Sequence, residues 1–273
     1  MRCHSRNVIM FVIFKEGYKS KRCYFYIMSD KLLFISVFNF GAIEMAKNHL
    51  KSLRNQGITN HRSYVTDSES HAVLKSMGYR VYLIQNDDIQ KESTNFGTPE
   101  FNNMSYLRYY VIKELMNRGH DVWYMDVDTV VLHDVTPIYV EYKERGTCDV
   151  MFQTDINMPC TGCMLFFKCE RSVLLVDTII ANQNDKSNDQ LIMNEILHNC
   201  PEMVRHANFS MFMFPNGLLY FDEDIVKCPD NYRSIKDAYL AKEDKVVHFV
   251  HANWMVGDET KTNALKKCGL WFV

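Results

Sequence analysis

The stretch VWYMDVDTVVLHD, Val122 to Asp134, decides how this chain is read. Apolar residues crowd both flanks, yet Asp126 and Asp128 sit at its centre. An unpaired buried charge costs several kcal/mol, and two close together cost more. In a strand, alternate residues point the same way, so the two acids and Tyr124 share a face while Met125 and Val127 take the other. A divalent cation between the acids removes their repulsion. Mg²⁺ or Mn²⁺ suits carboxylate oxygen and completes its shell with water and phosphate. A solvent-exposed turn with wetted acids is the plainer reading, and a bare D-x-D is common by chance. The flanks speak against a turn, since VWYM and TVVL are not polar.

Working outward, strand and helix signals alternate. LLFISVF, Leu32 to Phe38, is an apolar run of strand length that ends in the turn residues NFG. Ile43 to Arg54 follows with Ile43, Ala46, Leu50 and Leu53 on one face, and Gly57 stops it. HRSYVTD gives a second strand ending in Asp67, Ser68 to Met77 a helix, and RVYLI, Arg80 to Ile84, a third strand. Asn102 to Asn117 carries Met104, Leu107, Val111 and Leu115 on one helical face before VWYMDVD forms the fourth strand. This order predicts an α/β fold: a mostly parallel, Rossmann-like sheet with helices on both faces. Ligands of such sheets bind beyond the carboxyl ends of the strands, where Asn39, Asp67, Asp126 and Asp128 all fall. Further on, CDVMFQTD and GCMLFFK read as strands, Glu170 to Asn182 and Asp189 to His198 as helices, and Asp244 to Trp254 as a late strand leaving the core.

The bulk composition narrows the function classes. Thirty-one basic against 33 acidic residues leave no basic excess to suggest nucleic acid. The 273 residues, 47% hydrophobic, support one large core, and no Pro/Gly/Ser-rich linker divides them. Nine cysteines include one two-residue-gap pair, Cys160 and Cys163, with no second pair to complete a zinc site. The odd count fits reduced thiols, and a cytoplasmic protein is expected. The apolar run VIMFVIF, Val8 to Phe14, is too short to span a bilayer and lacks a small-residue cleavage site. Residues 1–30 are taken as an extension and 31–273 as the domain.

GHDVWYMDVDTVVLHDVTP, Gly119 to Pro137, resembles the D-x-D signature of nucleotide-diphospho-sugar transferases with the GT-A fold. Three later segments agree in order: CTGCMLFFKCER, SNDQLIMNEIL, and VVHFVHANWMVGDETKTNALKKCGLW. The nearest-looking domains are retaining, plant-type xylosyl- and galactosyltransferases. The resemblance implies a metal-dependent enzyme that moves a sugar from a nucleotide-diphosphate donor to the hydroxyl of a glycan, protein or small-molecule acceptor. Retention by front-face attack is implied with it. A metal-dependent nucleotidyltransferase or phosphohydrolase is the first alternative, although Gly41 alone makes no phosphate loop. A catalytically inactive sugar-nucleotide-binding relative is the second.

Site roles follow from the same resemblance. Asp128 is expected as a direct ligand of Mn²⁺ or Mg²⁺, and Asp126 binds metal, donor ribose or both. His251 ranks first as the third ligand, with His248 second. Lys261 matches the basic residue that meets the diphosphate. Asp189 and Gln190 open a helix beside the donor sugar or acceptor, though Asn188 or Asp189 could simply cap it. Thr161 and Gly162 let the backbone approach the sugar closely, or form a plain tight turn. Asp67 is expected at the nucleobase or ribose, with Asn39 and Phe40 bordering that pocket, unless all three are ordinary turn formers. Arg108 reaches donor phosphate or sugar, or is an exposed helix arginine.

Overall fold

The computed structural model describes residues 31–84, 98–184 and 186–273. The expected extension over 1–30 and most of the link before Asn102 lie outside the described residues. The apolar run Leu32–Phe38 forms β1, fully buried along its length. A single 3-10 turn, Phe40–Ala42, leads into α1, Ile43–Asn55. Strand β2, His61–Val65, is followed by α2, Ser68–Ser76, and β3, Val81–Leu83. Helix α3, Pro99–Asn117, starts three residues earlier than expected because Thr98 accepts the Phe101 amide hydrogen and Pro99 opens its first turn. Strand β4 spans Asp121–Met125.

The second half adds β5, Thr129–Val131, then α4, Thr136–Arg145, β6, Val150–Asp155, and β7, Met158–Phe166. Helices α5, Glu170–Ala181, and α6, Asp189–Asn199, precede β8, His206–Asn208. The chain closes with α7, Gly217–Tyr220, α8, Arg233–Ala241, β9, Phe249–His251, and α9, Asp258–Lys267.

The main sheet has seven strands in the order β3-β2-β1-β4-β7-β6-β8. From β3 to β4 all pairings are parallel, as the alternating first half predicts. Strand β7 then runs antiparallel to both β4 and β6. One side packs Trp123 and Met125 against Ala46, Leu50 and Leu53 of α1. Trp123 is fully buried, with ring centroids 5.5 Å from Phe34 and 5.3 Å from Phe209. The other side packs Val122 and Tyr124 against α3, α5 and α6 through Tyr109, Ile112, Val176 and Met193. A third apolar cluster joins Val130 and Val250 to Leu218, Phe221 and Leu265.

Two expectations change. The fourth strand ends at Met125, so Asp126 and Asp128 stand in the turn between β4 and β5, not on a strand face. The late strand shrinks to Phe249–His251 and pairs antiparallel with β5 in a separate two-stranded ribbon. The apolar run VVHFV is shared between two clusters, Phe249 facing one and Val250 the other.

Candidate active site

The turn that presents the acids is closed by its own sequence. The Asp126 amide donates to Gly162 O at 2.8 Å, and the Thr129 hydroxyl donates to Asp126 O at 2.6 Å. Ribbon pairing then sets Thr129 opposite His251, and the Ala252 amide donates to Asp128 O at 2.9 Å. A residue 123 positions downstream is thereby locked beside the second acid. One ligand atom each of Asp126, Asp128 and His251 lies within 4.8 Å of the other two.

Charges are closely balanced around this group. His251 Nε2 lies 3.2 Å from Asp128 Oδ1, and Lys261 Nζ donates to Asp128 Oδ2 at 2.7 Å. Burial alone would raise the Asp128 carboxyl, but Lys261 and His251 hold it well below its ordinary range. Burial likewise disfavours a charged His251, and the Asp128 carboxylate more than reverses that. Arg108 is buried, contrary to the exposed-helix alternative. Its Nη1 sits 3.3 Å from Asp126 Oδ1 and donates to Thr161 O at 3.1 Å, while Nε lies 3.7 Å from Asp189 Oδ2. Tyr124 packs under the guanidinium, 4.6 Å from ring centroid to Cζ, and its hydroxyl donates to Asp126.

Strand β7 supplies the opposite wall through a local irregularity. Its register with β6 runs Phe152 to Met164 and then jumps to Gln153 with Cys160, so Thr161, Gly162 and Cys163 have no β6 partner. Such bulges re-aim a strand next to functional sites. Here the bulge presses Gly162 against the acids. A Cβ on Gly162 would lie 2.2 Å from His251 Cε1 and 2.8 Å from Asp126 Oδ2. Gly162 thus makes room for the Asp/Asp/His group itself, a stronger demand than the close sugar approach or tight turn expected from sequence.

A cavity of about 440 Å³ opens over the group. Arg108, Asp126, Asp128, Thr161, Gly162, Asp189, Gln190, His251 and Lys261 all line it. Asn188 is the cap of α6, accepting the Leu191 amide at 2.9 Å, which leaves Asp189 to accept from the Tyr109 hydroxyl at 3.0 Å. Gln190 accepts from the Thr161 amide at 3.1 Å and donates to Asp155 Oδ2 at 3.2 Å. His248 is elsewhere: its ring meets His133 edge-on at 5.3 Å. Asn39, Phe40 and Asp67 sit at the ends of β1 and β2, outside the lining of this cavity. Asp67 caps α2, with both carboxylate oxygens taken by Ser70, at 2.7 Å from the amide and 2.9 Å from the hydroxyl.

Gln153, Asp155 and Trp254 also belong to the site and escaped the sequence reading. Gln153 is fully buried and donates both amide hydrogens, to Phe214 O at 3.2 Å and Pro215 O at 2.9 Å. These two bonds fix which way the amide points, so the acceptor Oε1 faces His251 Nδ1 at 2.7 Å. Nδ1 must carry a proton, so in the neutral ring the Nε2 lone pair faces Asp128. The donor set fits a divalent cation such as Mn²⁺ or Mg²⁺: two carboxylates, one imidazole nitrogen aimed by a buried amide, and a glycine where any Cβ would intrude.

A family model described as nucleotide-diphospho-sugar transferase matches residues 59–265. The chain belongs to that family. In Arabidopsis thaliana, UDP-D-xylose:L-fucose alpha-1,3-D-xylosyltransferase MGP4 is 27% identical over 206 residues, covering 65% of this chain and 52% of its own length. A second, UDP-D-xylose:L-fucose alpha-1,3-D-xylosyltransferase 3, is 22% identical and covers 91% of this chain and 68% of its own. The chain thus spans about half the length of the first of these relatives. Among solved structures, the galactosyltransferase LgtC with donor and acceptor sugar analogues superposes with a TM-score of 0.54 at 14% identity, over 87% of this chain and 95% of LgtC. The WbbM bifunctional glycosyltransferase gives 0.54 at 14% identity, over 88% of this chain and 51% of its own. At such identity these two establish the fold alone, and that fold is GT-A.

Proposed function

We propose that the protein is a divalent-cation-dependent glycosyltransferase that moves a sugar from a nucleoside-diphosphate donor to an acceptor hydroxyl with retention of configuration. The convergence of Asp126, Asp128 and His251 beside Lys261, at the carboxyl end of β4, carries this reading. In glycosyl transfer the nucleoside diphosphate leaves, and negative charge grows on its terminal phosphate. Asp126, Asp128 and His251 would hold Mn²⁺ or Mg²⁺. When bound, such an ion stabilises that growing charge as a Lewis acid. Lys261 forms an ion pair with Asp128 now, and on a four-carbon stem it swings to the diphosphate once Asp128 has another cation to bind.

The remaining residues position the sugar. Asp189, held between Tyr109 and Arg108, accepts from a sugar hydroxyl. Arg108 keeps Asp126 and Asp189 at a fixed separation, and Gln190 ties Thr161 to the sugar-facing helix start. Among the described residues no carboxylate in the cavity is singled out as a displacing nucleophile, so front-face attack is preferred to double displacement. The departing phosphate itself therefore takes the acceptor proton on the face it leaves. Asn39 and Phe40, just beyond the end of β1, which neighbours β4, and Asp67, beyond the end of β2, one strand further out, are the proposed nucleoside side of the donor.

The activities for which the relatives are named make UDP-xylose the first donor to try. The decisive experiment measures release of UDP from UDP-xylose, UDP-glucose and UDP-galactose with and without Mn²⁺. Asp126→Ala and Asp128→Ala are expected to lose this turnover by at least about 100-fold while retaining native circular dichroism. Full turnover in either folded variant removes the ligand role.

A further inference from the structure

Polar side chains interrupt the apolar layer between the main sheet and α1. On β1, Leu32, Phe34 and Phe38 point into that layer, and Ser36 shares their face. Ser36, His49 of α1 and His61 of β2 are all buried. Apolar residues would fill the same space without the desolvation that these groups suffer on folding. Their bonds lead to the turn that carries Asp126 and Asp128. His49 Nδ1 lies 3.1 Å from Thr129 O and 3.0 Å from Thr129 Oγ1, and the Thr129 hydroxyl donates to Asp126 O at 2.6 Å.

The hydrogens in this chain can be assigned. A carbonyl oxygen only accepts, so the Thr129 hydrogen lies on Asp126 O and His49 Nδ1 must donate to Thr129. Burial lowers His49 from 6.5 to about 4, so its ring is neutral near pH 7 and Nε2 accepts. The Ser36 hydroxyl, 3.3 Å away, is then the donor to Nε2, and Ser36 accepts from His61 Nε2 at 3.1 Å. Every donor thus points one way, from β2 through β1 and α1 to the carbonyl of Asp126. The Asp126 amide is fixed as well, donating to Gly162 O at 2.8 Å, so both backbone groups of this acid are held. Ser52, one turn on from His49, adds a second grip on β5 by accepting from the Val131 amide at 3.0 Å.

We propose that His49 is a positioning residue for the cation site: its Nδ1–H holds Thr129, and through Thr129 the turn that aims Asp126 and Asp128 at the ion. His49 does not line the cavity, so it acts through Thr129 alone. This rests on the cation-dependent reading of the site.

The test uses amides that replace one ring nitrogen at a time. Asparagine places its side-chain N–H where Nδ1–H stands, whereas glutamine reaches the position of Nε2 and leaves Thr129 without its donor. Mn²⁺ affinity of the full chain is read by electron paramagnetic resonance of the free ion. It should fall about tenfold or more in His49→Gln and stay within about threefold of wild type in His49→Asn. Urea midpoints of the metal-free proteins should fall in both, since each variant loses one of the ring's links. Thr129→Val, which keeps the shape and removes the hydroxyl, should lose as much affinity as His49→Gln, and combining the two should cost little more. Equal affinity losses in the two His49 variants, or additive losses in the double variant, overturn the positioning role. Unchanged affinity in folded Thr129→Val overturns it even where the His49 variants do not fold. A wild type that binds no Mn²⁺ removes the cation reading and the role with it, whereas the other adverse results strike the role alone.

Discussion

Gln153 Oε1 lies 2.7 Å from His251 Nδ1, and both hydrogens of the same amide are spent on the carbonyls of Phe214 and Pro215. This arrangement keeps a proton on Nδ1 and so allows one tautomer of the neutral ring. Gln153→Met removes the acceptor with little change of volume, whereas Gln153→Glu keeps an acceptor and loses the two donated bonds. Mn²⁺ affinity, read by electron paramagnetic resonance of the free ion, should fall about 10–100-fold in the methionine variant and recover in the glutamate variant. Equal losses in both would mean that the amide only ties strands together.

Gly162→Ala tests how tightly the bulge is fitted. Its new methyl would land 2.2 Å from His251 Cε1, so the histidine or the β7 turn must move. A stability loss of about 1–3 kcal/mol in urea unfolding is expected. Donor turnover should fall far more than that loss explains. A variant with full turnover would show that Gly162 does not define the cage.

Arg108→Leu leaves the Asp126 and Asp189 carboxylates without the buried guanidinium between them. Breaking such a pair on one side costs about 3–5 kcal/mol. Arg108→Lys should recover only part of it, because an ammonium cannot span both acids and still donate to Thr161 O. Urea unfolding of the metal-free protein gives the comparison.

Acid sensitivity should originate under the site, at His49 and His61. Burial pushes His49 from 6.5 down to about 4 and takes His61 well below its ordinary value. Ser36 bridges the two rings at 3.3 and 3.1 Å, and His49 Nδ1 reaches Thr129 O at 3.1 Å. The unfolded chain gains protons here that the folded chain refuses, so stability falls as pH falls. The contribution is complete above about pH 6.5 and drains towards pH 4, with His49 accounting for on the order of 3 kcal/mol. Unfolding free energy measured across this window should have a positive slope with pH, which His49→Gln with His61→Gln should flatten.

The parallel half of the fold could be read from sequence because each of its strands is a short apolar run punctuated by turn residues. D-x-D and His251 were legible for a related reason: charged and imidazole groups stand out against apolar flanks. Arg108 was recognised, but not its burial, since its two carboxylate partners come from a loop and a helix far along the chain. Gln153 gave no signal. A mid-strand amide looks the same whether it faces water or aims a ligand, and its partners lie 61, 62 and 98 positions away. The β5–β9 ribbon was hidden for the same reason, being two three-residue strands with Thr129 paired to His251. The antiparallel turn at β7 needed knowledge of which edge of β4 was free.

The third apolar cluster has a consequence for how the site can fail. His251 and Lys261 ride on the ribbon and α9, Gln153 and Asp189 belong to the main sheet and its helices, and Asp126 stands in the turn that joins β4 to the ribbon. Gly217 braces the smaller body from within: its amide donates to Asn253 Oδ1 at 2.6 Å, tying α7 to the segment after β9, and a Cβ there would strike Asn253 O at 2.0 Å. The cage is therefore a seam with one lip on each body. Slackening of the smaller body would part that seam while the seven-stranded sheet stood intact, and a cation gripping both lips would act as its stitch.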